Sequence, residues 1–290
     1  MSAIYRKELR SYFTGMTGAV FMGFILLVAG IFMSIYVFDG LLAQFQAPLS
    51  AMGFIYLLAI PVLTMRSMAE EKGQKIDQFL YTLPINVSKI VMAKYFAMIT
   101  VLAIPLAILG IIPVIMSLYG SVHFTVAYSS LLVIFLLGCA LVAIGMFLSS
   151  LTESQVIAAV LAIITFILLY FVNAIVGIIP ENAYVSLGIF CALALIAGLI
   201  LYYLTKNVVV GVSTGVVLAG ITVGLFLWKN TMFEGAFAKV MSVFDVFGRA
   251  YNFYDGMFDL TAVVYYLSIV VMFVFFTVQS MEKKRWSEVD

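Results

Sequence analysis

Ala127–Ser149 reads AYSSLLVIFLLGCALVAIGMFLS, 23 residues without one charged side chain. A bilayer core of about 30 Å needs roughly 20 apolar residues in a helix, so this run is long enough to cross. The same ruler finds eight candidate spans: Thr17–Phe38, Ala51–Met65, Ile90–Tyr119, Ala127–Ser149, Gln155–Ile178, Val185–Leu204, Val208–Trp228 and Thr261–Ser280. The expected fold class is therefore all-α, a polytopic transmembrane helical bundle. Pro105 and Pro113 fall inside the third run, where a kink or irregular turn is expected. The first run follows Arg6–Arg10 but is longer than a signal-peptide core and meets no small-x-small cleavage site, so it reads as a retained helix.

Composition supports this class. Hydrophobic residues make up 65% of the 290 and charged residues 10%, with mean hydropathy +1.19. Soluble chains carry about a quarter charged residues. A net charge of +1 leaves no basic patch for a nucleic acid. Cys139 and Cys191 lie in apolar runs and read as small buried residues rather than a disulfide. His123 has no cysteine or carboxylate at metal-ligand spacing.

Lysine and arginine placement orients the chain. With the N-terminus in the cytoplasm, twelve of the fifteen basic residues fall inside and only Lys229, Lys239 and Arg249 outside. The positive-inside rule thus places both termini in the cytoplasm. Val185–Trp228 reads as two spans joined by the turn Thr205-Lys206-Asn207, with a re-entrant hairpin as the alternative. Either version leaves the last helix in the same orientation.

No phosphate-cradling G-x-x-x-x-G-K-[ST] occurs, and no ionisable residue needs to sit deep in a span. That argues against ATP hydrolysis on this chain, ion-coupled transport and intramembrane enzymology, and it moves the energy source elsewhere. The segment 66–89, RSMAEEKGQKIDQFLYTLPINVSK, reads as the one substantial cytoplasmic loop. Ile76, Phe79, Leu80 and Leu83 recur at helical spacing, Glu70 and Glu71 are expected in the first turn, and Pro84 ends the pattern. An ordinary interfacial helix is one reading. Headgroup-bound helices favour basic faces, however, and here Glu70, Glu71 and Asp77 mix with Lys72 and Lys75, which favours a protein partner.

These residues resemble a family. Met65-Arg66-Ser67, Glu70-Glu71-Lys72, Phe79-Leu80, Pro84 and Lys94, in that order, resemble the cytoplasmic coupling segment of ABC exporter type-2 permeases. IYRKELRSYF at the start and SSLTESQVIAA at Ser149–Ala159 are similar to other segments of that family. The ending, with Phe244, Phe247 and RAYNFYDGMFDLTAVVYYLS, looks like its gliding-motility-type (GldF-like) branch. The resemblance implies a six-span exporter core with 185–228 as an inserted pair, in a bacterial cytoplasmic membrane. It implies a dimeric permease, with a second copy or a homologous permease, bound to cytoplasmic ABC ATPase subunits. No cofactor is expected on this chain, ATP and magnesium belonging to the ATPase. Glu70, Glu71, Lys72, Ile76, Phe79, Leu80 and Leu83 would form the coupling site. The rival from another class is a non-transporting membrane anchor or sensor whose loop docks a cytoplasmic protein.

Three further features carry expectations. Gly211, Gly215 and Ala219, then Gly220 and Gly224, are spaced for close helix contact, within the chain or between copies. Phe233, Phe237, Val240, Phe244 and Phe247 fall on one helical face of the outer segment 229–260. That face reads as an interfacial anchor in contact with membrane lipid. The resemblance adds the alternative of an extracellular gate built on Phe237, Phe244 and Phe247. Tyr170 and Asn173 are the polar groups that would line a pathway, or else make an interhelical hydrogen bond.

Overall fold

The computed structural model describes residues 2–39, 45–74, 86–180, 182–228 and 233–287, all of them helix or connecting turn. In chain order the helices are α1 (Ser2–Thr14), α2 (Thr17–Met33, continued by a π-helical turn Ser34–Asp39), α3 (Gln46–Gly73), α4 (Val87–Leu109) and α5 (Ile112–Met116). There follow α6 (Phe124–Leu151), α7 (Gln155–Tyr170), α8 (Val172–Ile178), α9 (Ala183–Thr205) and α10 (Val208–Trp228). Short helices α11 (Ala236–Met241) and α12 (Tyr251–Tyr254) precede the terminal α13 (Leu260–Ser287). The chain forms two compact units, Met1–Leu168 with Val246–Asp290, and Leu169–Asp245.

Among the described residues, six helical segments are long and apolar enough to cross a membrane. The pair α7–α8, bent by 47°, makes a seventh if it counts as one span. Eight were expected. The fifth run breaks at Phe171, and the seventh forms α10, which is 21 residues long. In the third run the helix continues through Pro105, and the break comes at Gly110–Ile111. Pro113 then opens α5, where a missing amide proton costs no hydrogen bond.

The first unit is an up-and-down bundle whose directions are fixed by contacts at one end. Ser149 near the C-terminus of α6 bonds Met65, Met68 and Ala69 of α3. Lys94 near the start of α4 bonds Ser67, Thr17 at the start of α2 meets Arg66, and Ser280 of α13 lies 3.5 Å from the Ser150 carbonyl. The starts of α2 and α4 and the C-terminal ends of α3, α6 and α13 therefore lie together, at the end of the bundle where the charges of α3 and α4 cluster. Helices α3, α6 and α13 each run 28 residues, against roughly 20 needed to cross, so about two turns of each are left over for a headgroup layer.

Close approach of α3 and α6 makes the core. A methyl group on Gly138 would lie 2.6 Å from Leu102 and 3.3 Å from Tyr56, and one on Gly145 would lie 2.4 Å from the Thr64 hydroxyl. Seven residues apart, these two glycines put one face of α6 directly on its neighbours, the small-residue packing that membranes favour. Behind them Met52, Tyr56, Ile60 and Leu63 of α3 are fully buried. Phe54, Leu58 and Val62 repeat every fourth residue on the opposite face and are exposed, as a lipid-facing stripe should be. At the other end Asp259 starts α13 by accepting the Thr261 amide at 2.8 Å.

In the second unit α9 and α10 pack as an antiparallel hairpin. Their turn is the expected Thr205-Lys206-Asn207: Lys206 takes a left-handed conformation (φ 52°) and the Asn207 side chain accepts the Val209 amide at 3.0 Å. A methyl group on Gly215 would lie 3.5 Å from Gly198 Cα, so this member of the small-residue series packs within the chain, while Gly220 and Gly224 face open space. Phe233 completes an aromatic cluster with Phe190 and Phe226, at 6.1 and 5.4 Å between ring centres.

Candidate functional site

Helix α1 is the structural surprise of the charged end. Its sequence offers Ile4, Leu9 and Phe13 as an apolar side, yet Phe13 is exposed, and the buried residues are Glu8 and Tyr12. The reason is a partner 86 residues away. Lys94, two turns into α4 and only 2% exposed, brings its ammonium 3.2 Å from Glu8 Oε1, 2.9 Å from Glu71 Oε1 and 3.0 Å from the Ser67 carbonyl oxygen. These contacts use all three of its donors. Lys7 approaches Glu71 at 3.8 Å from the solvent side, so two cations face two carboxylates and the group is neutral.

Three more contacts extend the clamp. The Tyr12 hydroxyl donates to the Leu63 carbonyl at 3.4 Å, and the Tyr5 hydroxyl lies 2.8 Å from Thr100 Oγ1. Burial, reinforced by the nearby Glu8 carboxylate, pushes the Tyr12 phenol well above its ordinary range, so it stays protonated as a donor. Arg66 grips Glu70 with two nitrogens, at 2.7 and 3.0 Å, and also donates to Thr17. Lys72 donates to the Ser150 carbonyl of α6. One position in that helix splices it to α3: the Ser149 hydroxyl donates to the Met65 carbonyl and accepts the Met68 and Ala69 amides.

This geometry corrects the expected loop. Residues 66–73 continue α3, and Glu70 and Glu71 lie in its last two turns, not in the first turn of a new helix. Acidic groups at a helix C-terminus oppose the helix dipole; here Arg66, Lys94 and Lys7 neutralise them. Lys72 is buried and tied to α6. The apolar face Ile76, Phe79, Leu80 and Leu83 lies outside the described residues. Ionisable groups thus do occur within spanning helices, in their surplus turns. Lys94 and Glu8 were the residues a motif reading undervalued, and the available signal was a lone cation in the apolar run of α4.

The aromatic stripe does not form one face. Phe233, Phe237 and Phe247 are each 8% exposed, whereas Val240 and Phe244 are exposed. The segment is broken into α11, a 3₁₀ turn Ser242–Phe244, a second 3₁₀ turn and α12, so helical spacing along it has no meaning. Phe247 packs against Gly53 in the first unit. Tyr170 stacks edge-on with Phe171, and Asn173, exposed on α8, donates to Asp245 Oδ2 at 2.7 Å. That is a satisfied hydrogen bond between elements.

A profile described as ABC-2 family transporter protein matches residues 17–212, more than half of the chain. No curated protein and no solved structure shows significant similarity to it. The multi-pass bundle and this match have one conclusion: the chain belongs to the ABC-2 transporter family and is its membrane subunit, of the permease type that typically lacks the ATPase.

Proposed function

We propose that this chain is the permease half of an ATP-driven exporter, that its charged end faces the cytoplasm, and that segment 66–89 receives force from a separate ABC ATPase. The observation that carries the reading is the Lys94 clamp. It fastens α1 and the end of α3 to α4 immediately before residues 75–85, the stretch with the apolar face Ile76, Phe79, Leu80 and Leu83. A segment that must transmit displacement needs a stiff mount, and buried ion pairs joining three helices supply one. The twelve basic residues assigned to this side support the orientation. A second copy or a homologous permease completes the assembly, and the gliding-motility-type ending suggests mechanical work across the membrane as an alternative to substrate export.

Co-purification with the ATPase, and its permease-dependent turnover in nanodiscs, test the assignment. A buried Phe contributes roughly 1.5–3 kcal/mol, an exposed ion pair about 0.2–1 kcal/mol. Phe79→Ala should therefore weaken ATPase binding or turnover by about tenfold or more, while Lys75→Ala changes either little. Wild-type behaviour of both variants would remove the coupling role from this face. ATPase capture with turnover independent of the permease would favour an anchor.

A further inference from the structure

At the charged end of the first unit, α6 and α13 line a cleft of about 840 Å³. Its inner wall is apolar: Phe147, Leu151 and Phe276, with Phe147 and Phe276 rings 5.8 Å apart. Leu151 is 54% and Phe276 39% exposed, so this wall is open and not sealed by the bundle. Farther along α13 the lining turns polar, with Gln279 and Ser280, and ends at the exposed Lys283. Gln279 and Lys283 can donate hydrogen bonds into it, the Ser280 hydroxyl being directed at the Ser150 carbonyl, and no carboxylate lines the cleft. Among the described residues Lys283 has no ion-pair partner.

The order of chemistry along the helix identifies the occupant. Residues 276, 279–280 and 283 fall within about two turns, roughly 10 Å of axis. They run from aromatic wall to neutral donors to cation. An acyl chain, a glycerol ester region and a phosphate follow one another in that sequence over a similar distance. A basic cleft between spanning helices at a membrane surface is a recognised chemistry for anionic lipid headgroups. A second cleft on α13, about 580 Å³ and shared with α4 and α6, contains no charged side chain, so it offers a lipid phosphate no ion pair. We propose that the α6–α13 cleft binds one anionic glycerophospholipid, its tail on Phe147 and Phe276 and its phosphate on Lys283.

Trp286, one turn beyond Lys283, supplies the reporter, and Trp228→Phe removes the other tryptophan. Its fluorescence is followed in vesicles where dibrominated phosphatidylglycerol competes with dibrominated phosphatidylcholine as quencher. A contact cation near the surface predicts about a fivefold preference for phosphatidylglycerol, falling to about one in Lys283→Gln while the circular dichroism of that variant stays unchanged. Equal quenching by the two lipids in the unsubstituted background overturns the proposal. So does a preference that survives Lys283→Gln but disappears in Lys284→Gln/Arg285→Gln, which would mean general attraction to a basic tail. Absence of quenching by either lipid, with disulfide-linked dimers from Gln279→Cys in a Cys139→Ala/Cys191→Ala background, would give the cleft to a second copy and equally overturn it.

Discussion

At the residue scale the decisive atom is the Lys94 ammonium. Its three partners come from α1 and α3, and its surroundings admit almost no water. Removing one member of a buried pair leaves an uncompensated charge, at a cost of about 3–5 kcal/mol. Lys94→Met should therefore lower the thermal unfolding midpoint sharply in matched detergent, because Glu8 and Glu71 lose their shared partner. Glu8→Gln should lower it less, since Lys94 keeps Glu71 and the Ser67 carbonyl. Equal midpoints for wild type and Lys94→Met would show that the clamp is not holding α1. Nothing local marks Glu8 for burial: its neighbours Lys7 and Leu9 would suit a surface helix equally well, and only the position of α4 decides the matter.

At the scale of elements, the contact of α3 with α6 rests on two missing side chains. Gly145 faces the Thr64 hydroxyl, Cβ and methyl group at 2.4–3.0 Å from where its own Cβ would stand. Thr64 cannot swing aside, because a β-branched side chain in a helix has few rotamers and its hydroxyl bonds the Ile60 carbonyl at 3.0 Å. Gly145→Ala should destabilise the bundle by about 1–3 kcal/mol, and Thr64→Ala in the same chain should recover a large part of it. Unfolding midpoints for the two single variants and the double variant measure the coupling. Additive effects would mean that the helices shift apart without strain. The same scale explains the long α3. Residues 66–73 are polar enough to read as loop, yet they stay helical because Arg66 meets α2, Glu71 meets α1 and α4, Lys72 meets α6, and Glu70 pairs with Arg66 one turn back.

For the whole molecule the testable property is orientation. Ser2 and Ser88 are exposed near α1 and the start of α4, and Ser121 is exposed in the turn before α6. In a background lacking Cys139 and Cys191, single cysteines at Ser2 and Ser88 should resist a membrane-impermeant thiol reagent in intact cells, and one at Ser121 should react. Strong labelling at Ser88 with protection at Ser121 would invert the proposed topology. A cysteine at Asn207, in the α9–α10 turn, reads the second unit separately: protection there places that turn on the same side as Ser88, and labelling places it outside.

The sequence by itself determined the membrane class, the all-helical architecture, most of the spans and the family. Each follows from a local property: runs of about 20 apolar residues and short motifs that persist whatever the rest of the chain does. It also located the α9–α10 turn, since Lys206-Asn207 interrupts an apolar stretch. Tertiary structure alone decided that α3 extends to Gly73, that α1 buries a carboxylate instead of Phe13, and that the aromatic spacing after residue 232 builds no common face. The first two turn on partners far apart in the chain, Ser149 with Met65 and Lys94 with Glu8. A charge reads as solvent-exposed until the opposite charge is brought into contact with it, and only the packing of the helices does that.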